Sequence, residues 1–197
     1  MEIENLRTGR AFDALRTLNL NPQHLGVIAG PQNSSVNAPY HNSQHLLTVA
    51  KYAYDMGMHY KLKADEMRVL YLAALYHDVD HTMSSQDDSV NILRAVTSAQ
   101  KHISALEPNS ELILPTVVSL ISSTVSPNTP EPQSMLEEIL QDADVLQNIE
   151  SDAVVFWEGL YFEKGLTVTK DSTAVFLREH RFNTAWAENS VKNYLTA

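Results

Sequence analysis

Val69-Leu70-Tyr71-Leu72-Ala73-Ala74-Leu75-Tyr76-His77-Asp78-Val79-Asp80-His81 carries an apolar run straight into two histidines and two aspartates. Upstream lies Tyr40-His41-Asn42-Ser43-Gln44-His45, and downstream lies Asp142-Ala143-Asp144-Val145-Leu146. An adjacent His-Asp pair, a distant upstream His and a distant downstream Asp make a four-point set of nitrogen and oxygen ligands. Such a set suits a divalent transition metal. An ion held this way lowers the pKa of a bound water and polarises a phosphoryl oxygen. The expectation is a hydrolase with a buried metal site.

Working outward, the pattern is helical nearly throughout. Ile3, Leu6, Phe12, Leu15 and Leu18 follow a mostly three-to-four spacing, which predicts an amphipathic helix. Asn21-Pro22 opens a short second helix. Gly30 to Pro39 reads as a loop rich in Pro, Asn and Ser. A helix over 43–58 follows, with His41 and His45 at its start. Asp65 is the expected cap of the next helix, which runs to about His77. Asp87 and Asp88 are cap candidates for a helix through Leu106. Pro115 must lie in the first turn of a helix over 111–124 or kink it. The prolines between Ser126 and Pro132 demand a loop, and 132–149 returns to helix. Two more helices are expected over 152–162 and 182–195. Thr167-Val168-Thr169 is β-prone but short. No repeat or linker interrupts the pattern, so the expectation is one all-α domain over 1–197.

Composition narrows the function. Lys plus Arg is 14 and Asp plus Glu is 24, a net charge of −10. An acidic chain argues against tracking along DNA or RNA, which needs a basic stripe. A small nucleotide is still allowed, because metal ions and a few basic residues can meet its charge. Lys51, Arg94, Lys101, Arg178 and Arg181 are the candidates for gripping a phosphate. There is no cysteine, so any metal ligands must be His and carboxylate. No apolar run approaches a membrane span and no apolar leader is evident, so a cytoplasmic protein with no membrane partner is the default expectation.

Spacing relates the site residues. His41 and His45 are four apart and would share one face of a helix, as would His77 and His81. Residues two apart on a helix point about 200° apart, so Asp142 and Asp144 cannot both face one ion.

The segments Tyr40 to His45 and His77 to His81 resemble the Tyr-His-Asn-x-x-His and His-Asp-x-x-His motifs of class I cyclic-nucleotide phosphodiesterases, within the HD superfamily of metal-dependent phosphohydrolases. Asp88-Ser89-Val90-Asn91-Ile92 and Asp142 to Leu146 are similar to segments of small bacterial and phage HD hydrolases. The likeness spans roughly residues 36 to 150. It implies His45, His77, Asp78 and Asp144 as metal ligands, Asp144 being preferred to Asp142 because the Ala-Asp-x-Leu frame matches. It implies His41 as the acid that protonates the leaving oxygen, and Asp78 as a bridge to a second ion where there are two. His81, Asp142 and His102 are the candidates for orienting a ligand or a water, or for serving that second ion. The implied cofactor is a divalent ion: Mn, Mg, Zn, Ni, Co or Fe. The implied substrate is a small phosphoester, a nucleotide first, cleaved by a phosphodiesterase, nucleotidase or dNTPase reaction. A di-iron oxygenase and a silent HD binding module are the alternatives. Thr82-Met83 stands where the phosphodiesterases usually have Pro-Gly, and their purine-gripping glutamine has no evident counterpart. Cyclic-nucleotide specificity is therefore not carried over. His24, His59 and His180 are expected to be structural.

Overall fold

A computed structural model describes residues 2–83, 88–126, 129–150, 153–164 and 172–196. All regular structure among these residues is helical. Ten α-helices follow in chain order: α1 (Glu2–Thr17), α2 (Gln23–Ile28), α3 (Ser43–His59), α4 (Ala64–Tyr76), α5 (Asp88–Leu106), α6 (Ser110–Ser122), α7 (Met135–Leu146), α8 (Ala153–Lys164), α9 (Ser172–Glu179) and α10 (Ala185–Thr196). A 3₁₀ turn, Gln147–Ile149, continues α7. Among the described residues, no helix is long and apolar enough to cross a membrane.

The apolar run decides the architecture. In α4 every residue from Val69 to Tyr76 is buried. A helix that is apolar all round belongs inside a protein rather than on its surface. Here α3, α5, α6 and α7 pack against α4, and α1 and α7 pack against α3. The chain therefore delivers His77 and Asp78 from the centre of the helical core, at the end of α4. That end is favourable for a cation, because a helix C-terminus carries partial negative charge.

Several local expectations are revised. Asp65 does not cap α4; it sits in the first turn, and the Glu66 carboxylate reaches back to the Lys63 N–H at 2.8 Å. Pro115 lies in the second turn of α6, beyond the first turn, where its missing N–H costs one internal bond. α9 was not legible, because its eight residues are too few to show a period. Asp87 and the Thr167 to Thr169 run lie outside the described residues.

Neither histidine pair lies on one helix. Asn42 is the N-cap of α3, its side chain accepting from the Gln44 and His45 N–H groups, so His41 precedes the helix. α4 ends at Tyr76, and Asp80 turns the chain with φ 66°, so His81 follows a left-handed turn. The four-residue spacings converge because the chain bends at these points, not because of helical periodicity.

Candidate metal centre

Four side chains from three elements meet. His45 comes from the first turn of α3, His77 and Asp78 from the end of α4, and Asp144 from α7. One ligand atom from each lies within 4.8 Å of all the others. His45 Nε2 is 3.0 Å from His77 Nε2, 3.1 Å from Asp78 Oδ2 and 3.3 Å from Asp144 Oδ1. His77 Nε2 is 3.3 Å from Asp78 Oδ2 and 3.4 Å from Asp144 Oδ1. Ligands bound at about 2.1 Å to one ion sit roughly 3.0–3.4 Å from their neighbours.

The partners of the imidazoles decide what this cluster is for. His45 Nδ1–H donates to Gln147 Oε1 at 2.6 Å, and His77 Nδ1–H donates to the Ala74 carbonyl at 2.9 Å. With both Nδ1 protons committed, the two Nε2 atoms face one another. Burial lowers the His77 pKa, but Asp78 and Asp144 outweigh it and raise it well above the ordinary range, so the space between the rings draws in positive charge. Two facing lone pairs repel unless a proton or a metal ion lies between them. Hydrogen bonds that fix the far nitrogen of each ring are the usual support of a metal-ligating histidine. The residues present therefore fit a divalent ion. His45 and His77 are buried, while Asp78 and Asp144 keep 14% and 32% of their side-chain surface exposed, so the cluster opens on its carboxylate side. Burial pushes both carboxyl pKa values upward. The imidazoles outweigh it, His77 foremost, and hold Asp78 well below and Asp144 below the ordinary range.

Beside these four lies a second group: His41, His81 and Glu163, whose ligand atoms also lie within 4.8 Å of one another. His41 Nδ1–H donates to Glu163 Oε2 at 2.5 Å. Glu163 Oε1 accepts from the Tyr40 and His41 N–H groups at 2.7 and 3.2 Å. His41 Nε2 lies 3.9 Å from Asp78 Oδ2. Burial depresses the His41 pKa, but Asp78 and Glu163 outweigh it and the net shift is upward. His81 stacks on His41 with centroids 3.6 Å apart. Its Nδ1 accepts from the Met83 N–H at 2.9 Å, which leaves the ring proton on Nε2. Burial and then the adjacent His41 push the His81 pKa down to about 4, so this ring is neutral at pH 7.

Glu163 reaches His41 because α8 comes very close to the loop before α3. A Cβ at Gly159 would clash with the Pro39 carbonyl oxygen, so only glycine permits this approach. Glu163 is one helical turn further on. Neither Glu163 nor Gln147 was found by sequence reasoning. Gln147 lies three residues after Asp144, a spacing that could have marked it. Glu163 is 122 residues from His41 and carried no such signal.

Two candidates are not brought to either group. Asp142 faces away from Asp144: its Oδ1 accepts from the Asn183 N–H at 2.9 Å, and its Oδ2 accepts from the Thr184 N–H and hydroxyl at 2.8 and 2.7 Å. It anchors the start of α10 and does not orient a ligand, as the half-turn between the two aspartates requires. His102 lies on α5 with its ring alongside Tyr76, at 6.5 Å between centroids, outside both groups. Of the basic candidates, Arg94 is tied to the motif loop, donating to the Asp80 carbonyl at 2.6 Å and to Ser34 Oγ at 3.1 Å. Lys51 pairs with Glu150 at 2.8 Å, and Arg181 lies 4.0 Å from Glu131.

Compared with known proteins, residues 42–149, more than half of the chain, match the HD-domain family model. Members of that family are mostly metal-dependent hydrolases. No curated protein sequence matches the chain.

Proposed function

Because the chain belongs to the HD-domain family, we propose that it hydrolyses a phosphoester of a nucleotide or a similar small molecule with a divalent ion as cofactor. His45, His77, Asp78 and Asp144 hold the ion. The observation that carries the reading is the pair of imidazole Nε2 atoms facing each other at 3.0 Å with both Nδ1 atoms committed elsewhere. Once bound, the ion supplies Lewis acidity to a phosphoryl oxygen and makes water a better nucleophile.

The remaining steps belong to the chain's own side chains. His41 keeps a proton on Nε2 near neutral pH and gives it to the leaving oxygen. Glu163 holds Nδ1–H, fixes the ring's orientation and stabilises the imidazolium form. His81 presents Nε2–H as a fixed neutral donor toward the same space. Its lone pair on Nδ1 is engaged by Met83, which favours a donor role over ligation of a second ion. Arg94, held on the motif loop, is the basic residue best supported as a phosphate contact. A neutral imidazole stacked on a protonated one gives the site a donor and an acid side by side. That pair suits a negatively charged ester whose leaving oxygen needs a proton.

Purified protein assayed against nucleoside mono-, di- and triphosphates, cyclic nucleotides and bis-(p-nitrophenyl) phosphate, with added Mn, Mg, Zn, Ni, Co or Fe, tests the proposal. Metal-dependent release of phosphate or alcohol from at least one ester is expected, and loss of His41 should lower it by about 10²–10⁴-fold. Bound metal without turnover of any ester, or oxygen consumption in its place, would overturn it.

A further inference from the structure

We infer that Asn33 is a positioning residue for His81: it holds the turn at Asp80 that aims this imidazole into the site, the donor role of His81 itself resting on the proposed hydrolysis. Asp80 has φ 66°, a left-handed conformation uncommon outside glycine that persists where its surroundings hold it. Three polar groups of Asp80 are held here. Its N–H donates to Asn33 Oδ1 at 3.1 Å, its Oδ1 accepts from the Ser34 N–H at 2.7 Å, and its carbonyl accepts from Arg94 Nε–H at 2.6 Å. Two of the three partners are consecutive residues of the loop before α3. That loop segment precedes residues 42–149, which match the HD-domain family.

Asn33 is placed to act as a rigid post. It is 1% exposed, as is Ser35. Asn33 Oδ1 also accepts from the Ser35 N–H and hydroxyl at 3.1 and 2.8 Å, and Nδ2–H donates to the Ile28 carbonyl at 3.0 Å. Backbone donors on one side and a carbonyl on the other fix which way the amide points. His81 needs such a post because it follows the turn directly. Beyond His81 the chain is tied again: Thr82 donates its N–H and hydroxyl to Asn91 Oδ1 at 2.9 and 2.8 Å. A segment held only from Asn91 would pivot at Asp80. The His81 ring, stacked on His41 with centroids 3.6 Å apart, would turn with it. None of the Asn33 side-chain bonds reaches His41 or the four proposed ligands, so the effect on the site passes through the turn.

NMR of the full chain with Zn²⁺ reads the stacking without any assay of turnover. The ring C–H signals of His81 are displaced by the His41 ring in the wild type, and in Asn33→Ala they should move toward free-imidazole positions. Asn33→Asp keeps the accepting oxygen and should keep the wild-type ring signals, although it melts lower. On an ester the wild type hydrolyses, Asn33→Ala should retain the metal and lower kcat about tenfold or more. In a His81→Ala background the same change should alter kcat less than about twofold. In a protein without turnover the ring signals alone decide. Should Asn33→Ala fail to fold, amide exchange in the wild type decides: the Asp80 N–H should be protected like the amides of α3. Unmoved His81 signals in Asn33→Ala, loss of its metal, an equal loss of kcat with and without His81, or an Asp80 amide exchanging at the rate of an exposed loop would overturn the proposal.

Discussion

Asp142 and Asp144 differ by two positions and end on opposite sides of α7. Asp144 lies 3.3 and 3.4 Å from the His45 and His77 imidazoles, while Asp142 holds Asn183 and Thr184. Asp144→Asn should therefore remove metal and turnover together, and lower Tm by no more than removal of the ion does. Asp142→Asn should keep both and lower stability, since it weakens two of three hydrogen bonds to a buried carboxylate, each worth about 1–3 kcal/mol. Metal content and thermal melts of the two variants check this. At His41 the raised pKa gives a pH prediction. As the proposed acid, His41 must be protonated, so activity should fall as pH rises through its folded pKa. Asp78 and Glu163 raise that pKa against burial, and Glu163→Gln removes the second of them. The alkaline limb of kcat should then move to lower pH with the metal retained. A profile unchanged in Glu163→Gln would separate Glu163 from the proton transfer.

Among the elements, α8 places Glu163 through a backbone contact that a single methyl group would block. Gly159→Ala should push α8 off the Pro39–Tyr40 loop, costing roughly 1–3 kcal/mol as overpacking does. It should also reproduce the pH shift of Glu163→Gln, read from the same rate profile. This device was invisible in the sequence, where Gly159 sits in an ordinary helical stretch. By contrast α4 was legible: eight consecutive buried residues show as an apolar run, and the run ends where His77 and Asp78 begin. The all-α class and most helices followed from the same periodicity. The histidine pairs were misread as helical because a spacing of four cannot reveal that Asn42 starts a helix after His41. Nor can it reveal that Asp80 turns the chain through positive φ before His81.

For the whole molecule, the cluster ties the start of α3, the end of α4 and the last turns of α7 into one point. A proton on His77 or a metal ion there offsets the repulsion between the two imidazoles and between Asp78 and Asp144. An ion at 100 times its Kd stabilises the folded chain by about 2.7 kcal/mol. For a chain of this length that is a rise in Tm of roughly 5–10 °C. Chelation should lower Tm by that amount and re-addition of the ion restore it; a Tm indifferent to chelator would mean the cluster is not loaded. The most direct test of the account is the metal content of purified wild-type protein, His77→Ala, Asp144→Asn and His41→Ala, measured by plasma mass spectrometry alongside turnover. The account predicts an ion in the wild type that both ligand variants lose, and a His41→Ala protein that keeps the ion but not the activity. Metal retained in His77→Ala and Asp144→Asn, or lost in His41→Ala, would contradict it.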